Sequence, residues 1–335
     1  MEVKKTDIII IGAGPIGLFA IFEAGMLGMN CHVFDSLEFV GGQCSALYPE
    51  KPIYDIAGFP SIKSQDLINN LEKQAAPFNP TYHLEEQVIS VTKVDDHFVV
   101  KSSSGTICEA KAIFISAGCG SFGPNRPPLA NLESYEASGS VKYMVNKIES
   151  YRDKKVVIAG GGDSALDWVI NLEPVASKVY LVHRRDKFRA QDELEKQMRN
   201  LVAEKRVELV VPYQLDSLKG DDGQLSHVVV KTLAGDVREI EADVLLPFYG
   251  LAMELGPIAD WGLNIDKKHI AVDPATMQTN IEGIYALGDI ADYQNKKKLM
   301  VVGFSECAFA AHDVYHRVFP NKVLHFEYST TKGVS

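Results

Sequence analysis

Several absences narrow the reading of this chain. The five cysteines, Cys31, Cys44, Cys108, Cys119 and Cys307, include no C-x-x-C pair and no spacing suited to zinc. That excludes a disulfide framework and a cysteine-built metal site. Isolated cysteines in a reducing compartment usually serve as small buried apolar residues. No apolar stretch reaches membrane-spanning length, because Glu23 and Asp35 flank the most apolar N-terminal region. The opening residues, 1–6, lack signal-peptide architecture, and low-complexity segments are missing. Positive charge is in the minority: 34 Lys and Arg against 44 Asp and Glu leave a net charge of −10. This argues against a nucleic-acid binder. The expectation is a cytoplasmic protein with no membrane and no nucleic-acid partner. At 335 residues, 46% apolar and 23% charged, the chain is long enough for two well-packed domains.

What is present is a pair of glycine-rich turns. Gly12-Ala13-Gly14-Pro15-Ile16-Gly17 follows the apolar run Asp7-Ile8-Ile9-Ile10-Ile11, and Gly160-Gly161-Gly162-Asp163-Ser164-Ala165 follows Lys155-Val156-Val157-Ile158-Ala159. Glycines permit the tight turn and let the backbone approach a pyrophosphate, whose charge the adjoining helix N-terminus stabilises. Ala165 replaces the third glycine of the second turn, a variant tolerated where helix and strand sit slightly further apart. The two turns differ at the residues where an adenosine ribose is read. Counting 23 positions from the first glycine reaches Asp35 in one case and His183-Arg184-Arg185 in the other. An acid accepts hydrogen bonds from a free ribose 2′-hydroxyl, whereas guanidinium groups neutralise a 2′-phosphate. The first site therefore suits an unphosphorylated adenosine and the second NADP, with Arg184, Arg185 and Arg189 on the phosphate. A chain carrying both reads as a flavoprotein fed by NADPH.

The pattern predicts an α/β chain of two dinucleotide-binding, Rossmann-like domains with three ββα layers. Each turn lies in a strand–helix–strand unit: 8–11, 16–27 and 31–34, then 156–159, 164–172 and 179–182. Alternation over 88–100 predicts antiparallel strands. Two similar apolar strands, at 112–118 and 243–250, precede the expected domain crossings. The NADP domain would be an insert over 119–247, and the FAD domain would be discontinuous, taking 1–118 and 248–335.

Two further segments favour a flavin. Gly41-Gly42-Gln43 lets the chain pass close to a prosthetic group, with Gln43 reaching a polar edge, although a plain glycine loop fits equally well. The segment 283–289 is a strand ending on Gly288-Asp289, where ligands of such sheets bind. Asp289 would bond a ribityl hydroxyl, and the helix expected over 303–318 would aim its amino end at the flavin.

In order, G-A-G-P, G-G-Q, G-G-G-D-S-A, H-R-R-D-x-F-R-A and G-D-I resemble the thioredoxin-reductase-like flavoproteins over almost the whole chain. The C-x-x-C of thioredoxin reductase proper is absent, since 140–145 holds no cysteine. The C-x4-C of the glutathione-reductase group is also broken, with Cys44 in the first place and Pro49 in the second. Residues 42–51 and 54–60 are more similar to thioredoxin-reductase-like ferredoxin–NADP reductases. That resemblance implies FAD lined by Asp35, Gln43, Tyr48, Val88, Phe122, Asp289 and Thr330, with Tyr48 stacked on the isoalloxazine. It also implies a homodimer in which the tail 322–335, carrying His325, Phe326 and Tyr328, covers the partner's flavin.

The expected reaction moves a hydride from NADPH to the flavin and then single electrons to ferredoxin or flavodoxin. Hydride transfer needs no acid–base side chain, so no catalytic residue and no metal is assigned. Hinges are expected near Gly118 and Gly250. An acidic acceptor needs a local basic patch on this acidic chain, and Lys296-Lys297-Lys298 is one candidate. The sequence leaves open a thiol-linked reductase using Cys44 or an external dithiol, an NADPH oxidase or monooxygenase, and a nucleotide-gated sensor without turnover.

Overall fold

The computed structural model describes residues 3–324, 330 and 333, with the backbone alone for 121–122 and 251–253. The chain divides into a discontinuous unit, 1–122 with 253–335, and an inserted unit, 123–252.

At the centre of the discontinuous unit is a five-stranded parallel sheet in the order Ile284–Ala286, Ala112–Ile115, Ile8–Ile11, Cys31–Phe34, Thr81–His83. The run of four isoleucines suits a central strand buried on both faces. Side chains alternate, so Ile8 and Ile10 pack with the helices Pro15–Met26, Ser64–Ala75 and Met300–Val318. Ile9 and Ile11 face the other way, onto Phe98, Val100 and Cys108. Those three residues belong to a second sheet, ordered Lys4–Lys5, Ile107–Ala110, His97–Ser102, Val88–Val94. The result is three layers, ββα. The helix expected to begin at 303 starts one turn earlier, at Met300.

The inserted unit repeats the plan at smaller scale. Its four parallel strands run Val207–Val210, Lys178–Val182, Lys155–Ala159, Val244–Pro247. A three-stranded antiparallel sheet (Gln214–Asp221, Gln224–Lys231, Val237–Glu241) covers one face through Leu225, Val228, Val230 and Ile240. The helices Asp163–Leu172 and Asp192–Ala203 pack on the strands from the other side. The connecting strands Ser121–Pro124 and Leu251–Glu254 pair as a two-stranded ribbon.

Candidate functional site

The first glycine turn lies at the carboxyl edge of the five-stranded sheet, and its glycines are required by contact. A Cβ on Gly12, at φ +107°, would lie 2.5 Å from the Ser116 carbonyl oxygen. One on Gly17 would lie 1.9 Å from the Gly12 carbonyl oxygen. Gly14 is different: nothing in the protein comes within 4 Å of its Cβ position. Space is kept open beside the start of the helix Pro15–Met26, whose N-terminus has no side-chain cap. Its first N–H groups are left for an anion. The turn is steadied from behind by the Ser116 hydroxyl, which donates to the Gly12 carbonyl at 2.8 Å.

Asp35 ends the neighbouring strand. Its carboxylate accepts the Ala13 N–H at 2.6 Å and the Leu37 N–H at 2.9 Å. Burial raises its pKa above the usual carboxylate value, and these backbone donors oppose the rise. A carboxylate has about four acceptor positions, so capacity remains for ribose hydroxyls.

Gly12, Gly14 and Asp35 open onto a cleft of about 1300 Å³, its mouth included. Gln43, Tyr48, Val88 and Asp289 line it as well. Tyr48 is largely buried, with its hydroxyl 3.7 Å from the Cys44 sulfur. Burial pushes the Cys44 thiol up, and does the same to Cys119, whose neighbour is the Gln43 side chain. Both stay protonated at neutral pH, which makes them poor nucleophiles. Cys31, Cys108 and Cys307 are buried. Among the described residues no group of three His, Cys, Asp or Glu could hold a metal.

Asp289 reaches the cleft from a turn that is fixed underneath. The Gly288 N–H donates to Glu306 at 2.7 Å, and the Tyr293 hydroxyl donates to the same carboxylate at 2.8 Å. The third partner is the Lys296 ammonium. The side chains of Lys296 and Glu306 are only 3% and 1% exposed. This corrects the expectation that Lys296 belongs to a surface patch. A neutralising carboxylate ten residues away, on the Met300–Val318 helix, draws it inside.

FAD fits this cleft. The uncapped helix end and the open space at Gly14 suit a pyrophosphate, Asp35 suits a ribose, and Tyr48 offers a ring face. Trp261, also in the wall, has a buried indole N–H with no partner among the described residues. Sequence reasoning missed this residue, and it missed Glu86, Gln87, Leu255, Leu299 and Met300 as well. Of these, only Leu299 and Met300 carried a signal, as the residues leading into a helix aimed at the sheet edge. Phe122's side chain and residues 325–329 lie outside the described residues. Thr330 is exposed and does not line the cleft.

The second glycine turn is built the same way. A Cβ on Gly160 would meet the Phe248 carbonyl oxygen at 2.6 Å, and one on Gly161 would meet the His183 ring at 2.4 Å. His183 stacks on Phe188 with ring centroids 5.2 Å apart. The Arg189 N–H donates to the Gly161 carbonyl at 2.7 Å, folding the basic loop back over the turn. Arg184, Arg185 and Arg189 are exposed, and among the described residues no carboxylate pairs with them. Arg199, by contrast, is held by Glu195 and Asp186. Three free guanidinium groups beside an uncapped helix start at Asp163 suit the adenosine end of NADP. Ala165 packs close to Gly160, its Cβ 2.9 Å from where a Gly160 Cβ would be, a second reason that this position is glycine.

Residues 6–307 match the pyridine nucleotide-disulphide oxidoreductase family. The ferredoxin–NADP reductase of Rickettsia massiliae (strain Mtu5) is 56% identical over 98% of this chain and 98% of its own length. That of Rickettsia rickettsii (strain Iowa) is 55% identical over 98% of this chain and 96% of its own. The thioredoxin reductase of Lactococcus lactis shares the fold, with a TM-score of 0.78 over 94% of this chain and 99% of that one, at 24% identity. With a broken thiol pair, two nucleotide turns of opposite ribose chemistry and these full-length relatives, the chain belongs to the pyridine nucleotide-disulphide oxidoreductase family, among its ferredoxin–NADP reductases.

Proposed function

We propose that this chain carries electrons from NADPH, by way of FAD in the discontinuous unit, to ferredoxin. Flavodoxin is a second acceptor of the same kind. The observation that carries this reading is the contrast at the two ribose positions, Asp35 against Arg184 and Arg185, in a protein without a usable thiol pair. FAD, when bound, accepts the hydride and releases electrons one at a time, so no acid–base residue is needed.

The side chains have positioning roles. Asp35 holds the adenosine ribose of FAD, and the turn of Gly12, Gly14 and Gly17 places its pyrophosphate at the helix start. Tyr48 covers one face of the ring, while Gln43, Val88 and Asp289 fix its polar edge and side chain. Gly160, Gly162 and Ala165 seat the NADP pyrophosphate, and Arg184, Arg185 and Arg189 bind its 2′-phosphate. Phe122 lines the same flavin site, and the tail carrying Thr330 covers the flavin of the partner in a homodimer. None of the described helices is long and apolar enough to cross a membrane.

Anaerobic turnover tests the reading. Cytochrome c reduction should depend on added ferredoxin and should run with NADPH far faster than with NADH. Equal rates without ferredoxin would reject it.

A further inference from the structure

Burial of Lys296 leaves Lys297 and Lys298 exposed, and the fold sets a second basic pair beside them. The strands Ile265–Asp266 and His269–Ala271 form a hairpin whose two-residue turn is Lys267-Lys268. Its second strand runs parallel to Ala291–Asp292, the short strand leading into the lysine segment. His269 and Lys298 meet directly, with ring nitrogen and ammonium 2.5 Å apart.

Both turn lysines have positive φ, 44° and 70°. A turn with two left-handed residues favours Asn-Gly, and other side chains there cost about 1 kcal/mol or more each. Local geometry alone would not select two lysines.

The patch adjoins the mouth of the flavin cleft. Leu299, next after Lys298, is 45% exposed and lines the cleft. Lys298 acts electrostatically on Cys119, which stands between the cleft-lining Gly118 and Gly120. Lys267, Lys297 and Lys298 are exposed, against Asp266 and Asp292 in the same stretch. The patch is thus positive on a chain whose net charge is −10.

We propose that Lys267, Lys297 and Lys298, with Leu299 as an apolar contact, form the docking surface for a small acidic one-electron carrier protein. This rests on the electron-transfer reading above. Charge steers such a partner to the face where the prosthetic group is nearest the surface.

The test uses the FAD-loaded protein and the triple variant K267E/K297E/K298E. At low ionic strength the KM for an acidic ferredoxin should rise about tenfold or more, with kcat within about twofold. NADPH oxidation by a neutral quinone should be unchanged. Added salt should raise the KM of the unmodified protein and lower that of the variant. The control K93E/K101E reverses two exposed lysines of the outer sheet and should leave the ferredoxin KM alone. If the triple variant lost flavin, K267Q/K297Q/K298Q would carry the test, with a smaller rise in KM. An unchanged ferredoxin KM, or an equal rise in the control, would overturn the docking surface and leave the electron-transfer reading standing. Loss of quinone and ferredoxin reduction by the unmodified protein would instead reject that reading.

Discussion

Replacing Glu306 with glutamine should destabilise the protein far more than a near-isosteric change suggests. The Lys296–Glu306 pair is almost fully buried, at 3% and 1% side-chain exposure. Removing one partner leaves a buried ammonium uncompensated, which costs about 3–5 kcal/mol. Hydrogen bonding offsets little of this, because the carbonyl of the substituted amide accepts fewer bonds than the carboxylate. The carboxylate serves the Gly288 N–H, the Tyr293 hydroxyl and Lys296 together. The double variant K296M/E306Q removes both charges and should recover to within about 1–2 kcal/mol of the original, a coupling of about 2 kcal/mol or more. The assay is urea unfolding at fixed FAD concentration, followed by flavin fluorescence and circular dichroism. The flavin signal should report the change first, since Glu306 fixes the turn that presents Asp289. A loss below about 1 kcal/mol in E306Q, or a double variant no more stable than the single, would refute the reasoning.

Other consequences can be checked independently. Gly17→Ala places a methyl 1.9 Å from the Gly12 carbonyl oxygen and should lower both apoprotein stability and FAD binding. Gly14→Ala meets no protein atom and should leave apoprotein stability intact while weakening FAD, as read by urea unfolding and flavin titration. Arg184→Ala and Arg185→Ala should each raise the KM for NADPH about 10- to 100-fold, from about 1.5–3 kcal/mol per charge-assisted bond, with NADH kinetics unchanged. Equal losses with both cofactors would contradict the assignment. His83 is buried against His32, their ring nitrogens 3.0 Å apart, and burial, with Lys4 and His32 adding to it, lowers its pKa to about 4. The unfolded chain takes up this proton near pH 6.5, so the stability His83 contributes is present above about 6.5 and is lost as pH falls towards 4. Urea midpoints of His83→Gln should lack that part of the decline.

Sequence made some of this legible and hid the rest, for physical reasons. The two glycine turns could be read directly because their constraint is local: a Cβ at Gly17 or Gly160 has nowhere to go. The paired sheets followed from isoleucine and valine runs that can be buried on both faces. Glu86, Gln87 and Trp261 were hidden because they reach the cleft from segments distant in sequence, and nothing in their neighbours marks the approach. Lys296 was misread because a run of three lysines looks alike whether solvated or paired. Its partner Glu306 sits in an otherwise apolar helix start, Met300-Val301-Val302-Gly303-Phe304, and that isolated acid was the available clue. The lysine turn at 267–268 gained meaning only when the contact of His269 with Lys298 brought the two segments together.

Anaerobic stopped-flow mixing of the FAD-loaded protein with NADPH tests the central claim most directly. The flavin absorbance should bleach within the turnover time and return on a second mix with oxidised ferredoxin, including in the Cys44→Ser variant. A flavin that NADPH leaves oxidised, or a variant that no longer bleaches, would contradict electron passage between two nucleotides without a thiol relay.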